Sequence, residues 1–160
     1  GINLPPLLRE EFSYYVKNIS DKEHKELSPD EICEIFQNDF VNLTSHFSIK
    51  AFHFTQKDDT QNHIEASLET SNAKGESSLI TSSGNGRLDS VANALREYLK
   101  MDFEILDYSE HGLKKGSDSK AVSFVQIESK GKKCFGVGID SDIIKASVFG
   151  LVSALNRILN

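Results

Sequence analysis

The feature that most constrains the fold is a pattern that occurs twice: three strand-like segments followed by one amphipathic helix. Strand-like alternation begins at Phe47, Ile64 and Glu76 in the first half, and covers 103–110, 121–129 and 133–139 in the second. Apolar residues at helical spacing follow each set, over 88–99 and 144–158. Recurrence of one supersecondary unit predicts an α+β fold of two βββα units related by pseudo-two-fold symmetry.

A Gly-x-Gly sequence precedes each of these helices, as Gly84-Asn85-Gly86 and as Gly136-Val137-Gly138. A glycine turn at a helix N-terminus leaves backbone N–H groups without partners, and such groups can bind a small anion. The alternative is an ordinary strand-to-helix connection. The stretch from Gly84 to Gly112 is therefore a candidate anion site whose role other parts of the chain have to decide.

Two further helices are predicted ahead of the repeat. Pro5 and Pro6 fit the first turn of a helix over 4–18, and residues 20–27 have the pattern of a loop. Ser28-Pro29-Asp30-Glu31 is a capping box that begins a second helix, which ends near Asn42. Two short amphipathic helices cannot bury their apolar stripes on each other alone, so they must pack against something else. We predict a small helical linker subdomain over 1–42 and a second domain, built from the two βββα units, over 43–160.

Each βββα unit predicts a sheet with one face under a helix and one open face. Phe52, Phe54 and Val125 are the apolar residues that we expect on the open faces. Because exposed apolar sheet faces need cover, we expect a homodimer with two-fold symmetry.

Composition limits the possible partners and the location. A formal net charge of −6 argues against nucleic acid, which requires clustered Lys and Arg. The absence of an apolar run of about 18 residues argues against a membrane span, and we expect a cytoplasmic protein. Cys33 and Cys134 are far apart in the sequence and are predicted to be free thiols of a reducing compartment.

No catalytic apparatus is predicted. Asp107 and His111 share one face of a strand about 13 Å apart, which is too far for an Asp–His hydrogen bond. A nucleophile elbow is missing, and His46, His53 and His63 have spacings that match no compact metal site. A binding or assembly module is the interpretation that remains.

Several motifs together resemble one family. They are Gly84-Asn85-Gly86, Leu106-Asp107-Tyr108-Ser109-Glu110-His111, Gly116-Ser117-Asp118, Phe135-Gly136-Val137-Gly138-Ile139 and the segment from Ala146 to Arg157. In this combination the chain resembles the C-terminal regulatory domain of the long form of 2-isopropylmalate synthase, and residues 2–41 are similar to the helical segment upstream of that domain.

The resemblance implies a parent enzyme whose N-terminal TIM barrel holds a divalent metal and condenses acetyl-CoA with 2-oxoisovalerate. In such an enzyme leucine binds at a dimer interface of the regulatory domain and inhibits. This chain would hold no cofactor itself, and its partners would be leucine, a second copy and the barrel of the same polypeptide. Carried over by matched position, the effector pocket comprises Gly84, Asn85, Leu88, Asp89, Ile105, Tyr108, Gly112, Ser119 and Ile143.

Two positions depart from the family pattern. Arg87 stands where the family commonly has proline or a small residue, and Ser119 stands where alanine is usual. The effector's carboxylate is expected at the first turn of the helix that starts near Gly86, and its ammonium at loop carbonyls or Asp118. The alternatives are the regulatory domain of citramalate synthase, which responds to isoleucine, and a pure dimerisation module. An independent enzyme is the third alternative.

Overall fold

The computed structural model describes residues 2–56, 63–113 and 119–160. The helices are α1 (Pro6–Glu23), α2 (Pro29–Phe40), α3 (Arg87–Leu99) and α4 (Ile143–Leu159). The strands are β1 (Phe47–Gln56), β2 (Ile64–Asn72), β3 (Ser77–Gly84), β4 (Glu104–Gly112), β5 (Ala121–Ser129) and β6 (Lys132–Asp140). The motif Gly116-Ser117-Asp118 lies outside the described residues, as does Asp58-Asp59, where the sequence also predicts a turn between the first two strands.

The strands form two antiparallel sheets, β1-β2-β3 and β4-β5-β6, and each sheet is followed by a helix. This arrangement confirms the predicted α+β fold of two βββα units behind a helical region. The hairpin between β2 and β3 is closed by Asn72, whose side-chain oxygen accepts hydrogen bonds from the backbone N–H groups of Lys74 (3.0 Å) and Glu76 (2.9 Å). In the hairpin between β5 and β6, Lys130 and Gly131 both have positive φ angles, as a type I′ turn requires.

Each unit carries a β-bulge at the same place in its first strand. The register of β1 against β2 skips Lys50, and the register of β4 against β5 skips Leu106. An extra residue reverses which side chains point to which face of the sheet. Phe52 and Phe54 therefore lie opposite Leu68 and Ala66 and pack against the core, so the prediction that they lie on an open face is wrong.

One hydrophobic core joins the two units. It contains Leu68 of β2, Leu95 of α3, Val125 of β5 and Leu151 of α4, all fully buried. The prediction that Val125 lies on an open face is also wrong, because its side chain points toward α4, where a Cβ on Gly150 would lie 3.0 Å from it.

A second core covers the other face of the β4-β5-β6 sheet. Leu8 of α1 and Phe40 of α2 pack there against Phe124, Phe135 and other sheet residues, and all four are fully buried. The two linker helices thus find their packing partner within this chain. The β4-β5-β6 sheet lies between α4 on one side and α1 with α2 on the other.

The ends of the linker helices differ in part from the prediction. The capping box at Ser28 is present, since its Oγ accepts from Glu31 N (3.2 Å) and its N–H donates to Glu31 Oε1 (3.3 Å). Helix α1, however, continues through Glu23 and ends at His24, where φ is 54°, so the loop predicted from residue 20 is too long. Its last turn is exposed or half-buried and therefore lacks the apolar periodicity on which the prediction depended.

The second Gly-x-Gly sequence has a structural role different from the predicted one. Gly136 and Gly138 lie inside β6. A Cβ on Gly136 would lie 2.0 Å from Ala154 N, and a Cβ on Gly138 would lie 1.9 Å from Ala146 O. They allow the α4 backbone to approach the sheet closely. The turn equivalent to Gly84-Asn85-Gly86 is Asp140-Ser141-Asp142, as the strand registers and the first residues of α3 and α4 show.

Candidate functional site

A cleft of about 320 Å³ lies at the N-terminal ends of α3 and α4. It is lined by Phe54, Arg87, Leu88, Tyr108, Glu110, Ile143, Ile144, Ser147 and Val148. This volume is at the lower end of the range typical of small-ligand pockets, about 300–1,000 Å³. Its lining is mainly apolar with a few polar groups, which is the usual composition of a small-molecule site.

The lining comes from equivalent positions of the two units. Phe54 lies four residues after the bulged residue Lys50, and Glu110 lies four residues after the bulged residue Leu106. Arg87 and Ile143 are the first residues of α3 and α4. The cleft therefore lies where the pseudo-two-fold axis relates the two helix starts. The two units contribute equivalent backbone positions to the cleft but different side chains, because the aromatic ring of Phe54 in the first unit corresponds to the carboxylate of Glu110 in the second.

The polar side of the cleft is a hydrogen-bonded group on β4 and α4. Tyr108 Oη donates to Glu110 Oε2. Ser147 Oγ lies 2.9 Å from the same oxygen and 2.9 Å from Ile143 O, so its single hydrogen has two acceptors within reach. Burial, reinforced by the hydrogen bond to Glu110, raises the pKa of Tyr108 to about 12. The phenol therefore stays protonated at neutral pH and remains a hydrogen-bond donor.

The two helices that meet at the cleft start differently. Asp142 caps α4, because its Oδ1 accepts from Ile144 N (2.8 Å) and Lys145 N (3.3 Å). Gly86 precedes α3 and provides no side-chain cap. Asp89 instead accepts from Asn85 N (2.9 Å) and braces the turn before the helix. The first turn of α3 thus keeps N–H groups that no capping side chain binds, together with the positive end of the helix dipole.

The predicted effector residues fall into two groups. Leu88, Tyr108 and Ile143 line the cleft together. Gly84, Asn85, Asp89, Ile105, Gly112 and Ser119 do not line it. Gly84 lies behind the α3 start, where a Cβ would lie 2.6 Å from Asp89 Oδ2, so glycine is needed for this turn to close.

The other three predicted residues lie along β4 and before β5. Ile105 packs against the main core, and Ser119 is half-buried just ahead of β5. Gly112 ends β4, and a Cβ there would have no atom within 4 Å. Asp118, expected at the effector's ammonium, lies outside the described residues.

Sequence reasoning missed Glu110, Ser147 and Phe54 as lining residues. Glu110 could have been found from Tyr108, because residues two apart on a strand share one face. Phe54 could not, since the bulge at Lys50 that turns it inward has no clear sequence signal. Arg87, regarded only as a departure from the family, lines the cleft with its guanidinium 5.9 Å from the Phe54 ring.

The histidines of the chain lie elsewhere. His111 points to the opposite face of β4, where its ring lies 5.4 Å from that of Phe124. His46 Nε2 is hydrogen-bonded to Asn160 Oδ1 at 2.7 Å. Over the described ranges, no three His, Cys, Asp or Glu side chains are grouped closely enough to hold a metal ion.

An open groove of about 690 Å³ runs along α1, lined by Leu7, Tyr14 and Lys17 among others. It contains none of the residues matched to the effector pocket. Among the helices of the described residues, none combines the length and the apolar composition needed to cross a bilayer.

Comparison with known proteins places the chain in a family. Residues 26–159 match the model described as the LeuA allosteric (dimerisation) domain. Over 99% of its length the chain is 69% identical to a 2-isopropylmalate synthase of Helicobacter hepaticus and 41% identical to one of Desulfitobacterium hafniense. A 2-isopropylmalate synthase of Brucella suis biovar 1 is 36% identical over the same share. The chain spans 29%, 28% and 29% of these relatives, respectively. It therefore belongs to the LeuA allosteric (dimerisation) domain family of the 2-isopropylmalate synthases.

Proposed function

We propose that this chain is the feedback-regulatory part of a 2-isopropylmalate synthase and that leucine binds in the cleft between the starts of α3 and α4. Leucine bound in the cleft would inhibit a catalytic barrel of the same polypeptide. That barrel would hold a divalent metal and condense acetyl-CoA with 2-oxoisovalerate. The cytoplasmic location expected from the sequence is part of the same proposal.

The observation that carries the proposal is the composition of the cleft in a chain of this family. Leu88, Ile143 and Ile144 offer an apolar surface to an isobutyl group, whose full burial contributes roughly 1.5–3 kcal/mol. The uncapped start of α3 offers N–H groups to the effector's carboxylate. An aliphatic amino acid requires both kinds of surface within a few ångströms of each other.

The homodimer is proposed from the family description, which names a dimerisation domain. The outer face of the β1-β2-β3 sheet supports it. Leu79 on that face is 84% exposed, and exposed Thr81 lies two residues further along the same strand. Covering Leu79 with a second copy would remove this apolar side chain from water.

Titration calorimetry with leucine and isoleucine tests the proposed effector. We expect leucine to bind with a lower Kd than isoleucine, and a concentration of about 100 times its Kd to stabilise the protein by about 2.7 kcal/mol. Preference for isoleucine would favour the citramalate synthase alternative. Absence of binding by either amino acid, with a dimer in sedimentation, would favour a pure dimerisation module.

A matched pair of variants locates the site. Ile143→Ala shortens an apolar side chain of the cleft and should weaken leucine binding roughly 5- to 50-fold, since each buried CH₂ contributes about 0.8 kcal/mol. Leu7→Ala shortens an exposed side chain of α1, outside both the cleft and the proposed interface, and should leave the affinity unchanged. Equal effects of the two substitutions would contradict the proposed location.

A further inference from the structure

Glu110 has one carboxylate oxygen that is held in place and one that is unpaired. Oε2 accepts from Tyr108 Oη and from Ser147 Oγ. Within the described residues, Oε1 accepts no hydrogen bond and Glu110 forms no ion pair. The contacts with Tyr108 and Ser147 hold Oε2 in place, and Oε1 of this exposed side chain is open to solvent and to a donor in the cleft.

The positively charged side chain of the cleft, Arg87, does not donate to Glu110. Arg87 lines the same cleft, but its guanidinium lies over the Phe54 ring and forms no ion pair with Glu110. The cleft therefore contains one fixed negative group and one separate positive group, with Leu88, Ile144 and Val148 as apolar lining. A ligand that matches this arrangement carries an ammonium group, a carboxylate and an aliphatic chain.

We infer that Glu110 is the acceptor for the α-ammonium group of the effector and that Arg87 lies beside the effector's carboxylate. With both groups in place, the cleft selects a zwitterionic amino acid over a carboxylic acid of the same shape. The inference rests on the proposed function, since it concerns the same cleft. It places the ammonium on a described strand residue instead of on Asp118 or loop carbonyls. Tyr108 and Ser147 act here as positioning residues for the carboxylate.

The test uses two ligands and two variants of the full chain. The ligands are L-leucine and 4-methylpentanoate, which has the same carbon skeleton without the ammonium group. Glu110→Gln removes the charge and keeps the side-chain size, so the hydroxyl groups of Tyr108 and Ser147 keep an acceptor. Glu104→Gln makes the same change on β4 at an exposed residue outside the cleft.

We expect Glu110→Gln to weaken leucine binding roughly 10- to 100-fold, because a hydrogen bond to a charged group is lost. The affinity for 4-methylpentanoate should stay the same or rise, and Glu104→Gln should behave as the wild type with both ligands. Calorimetry measures all the affinities.

Three results would contradict the inference. Unchanged leucine affinity in Glu110→Gln, with leucine binding to the wild type, would overturn the role of Glu110 alone. Equal weakening of both ligands would show damage to the cleft instead of loss of an ammonium contact. Failure of leucine to bind the wild type would overturn this inference together with the proposed function.

Discussion

At the scale of single residues, equivalent positions in the two units carry different chemistry. Phe54 and Glu110 correspond to each other, as do Arg87 and Ile143. A pseudo-symmetric frame brings the two helix starts together, and each unit contributes one charged residue, Arg87 from the first and Glu110 from the second. The sequence permits prediction of the frame, because the order of strands and helices repeats. The chemistry depends on which side chain turns inward, and here the family resemblance identified Leu88, Tyr108 and Ile143 but not Glu110.

The two cysteines differ in burial, and this difference gives a prediction at the same scale. Cys33 is exposed and Cys134 is buried, and both are free thiols, as predicted. Burial raises the pKa of Cys134 to about 11, so it is almost entirely protonated at pH 8. Since the thiolate is the reactive form, we expect Cys33, but not Cys134, to react rapidly with a disulfide reagent in the native protein.

Cys33→Ser should remove the rapid reaction, and Cys134→Ser should leave it unchanged. Denaturant should make both thiols reactive. Because the pKa of Cys134 is raised in the folded state above the ordinary value of 9.0, its contribution to stability is fully present below pH 9 and is lost as pH rises toward 11. Rapid reaction of Cys134 in the native protein at pH 8 would contradict its burial.

At the scale of elements, most helices and strands follow from periodicity, whereas the facing of side chains within them does not. The capping box at Ser28 and the turns of the β2–β3 and β5–β6 hairpins are specified by local residue types, and these three features are present in the structure. The bulges at Lys50 and Leu106 reverse the alternation in the middle of β1 and β4. Their positions depend on pairing with the next strand, which local pattern cannot show.

Gly136 and Gly138 give the prediction for elements. An alanine Cβ on Gly138 would lie 1.9 Å from Ala146 O and 2.4 Å from Gly150 N, both backbone atoms of α4. The helix would have to shift away from the sheet, so Gly138→Ala should destabilise the fold by about 1–3 kcal/mol or more. Chemical denaturation monitored by circular dichroism measures the loss.

Gly112→Ala is the matched control, since Gly112 also lies in a strand and a Cβ there has no atom within 4 Å. It should change the free energy of unfolding by less than about 0.5 kcal/mol. Equal stability of the two variants would show that α4 does not depend on the close approach.

At the scale of the whole molecule, α4 connects the cleft to the linker helices. Its first turns carry Ile143 and Ser147 in the cleft. Near its other end, Arg157 pairs with Glu11 of α1, donates to Phe135 O at 2.7 Å and lies 3.8 Å over the Phe40 ring of α2. Glu11 also accepts from Phe135 N at 3.0 Å. The sequence offered no means of pairing residues so far apart along the chain, although it showed that α1 and α2 needed a packing partner.

Glu11→Gln should therefore destabilise the protein by about 1.5–3 kcal/mol, because Arg157 would remain mostly buried without its counter-charge. Urea denaturation measures the change in midpoint. Lys25→Gln removes one partner of the exposed pair with Glu31 and should leave the midpoint unchanged. A midpoint for Glu11→Gln equal to that of Lys25→Gln would show that the partly buried pair of Glu11 and Arg157 does not hold α1 on the sheet.

The central claim is that the cleft between the starts of α3 and α4 is the leucine site. A crystal structure of the chain grown with leucine tests it most directly. We predict leucine between Leu88, Tyr108 and Ile143, with its ammonium within hydrogen-bond distance of Glu110 Oε1. Leucine bound elsewhere, such as in the groove along α1 beside Leu7 and Tyr14, with the cleft empty, would contradict the account.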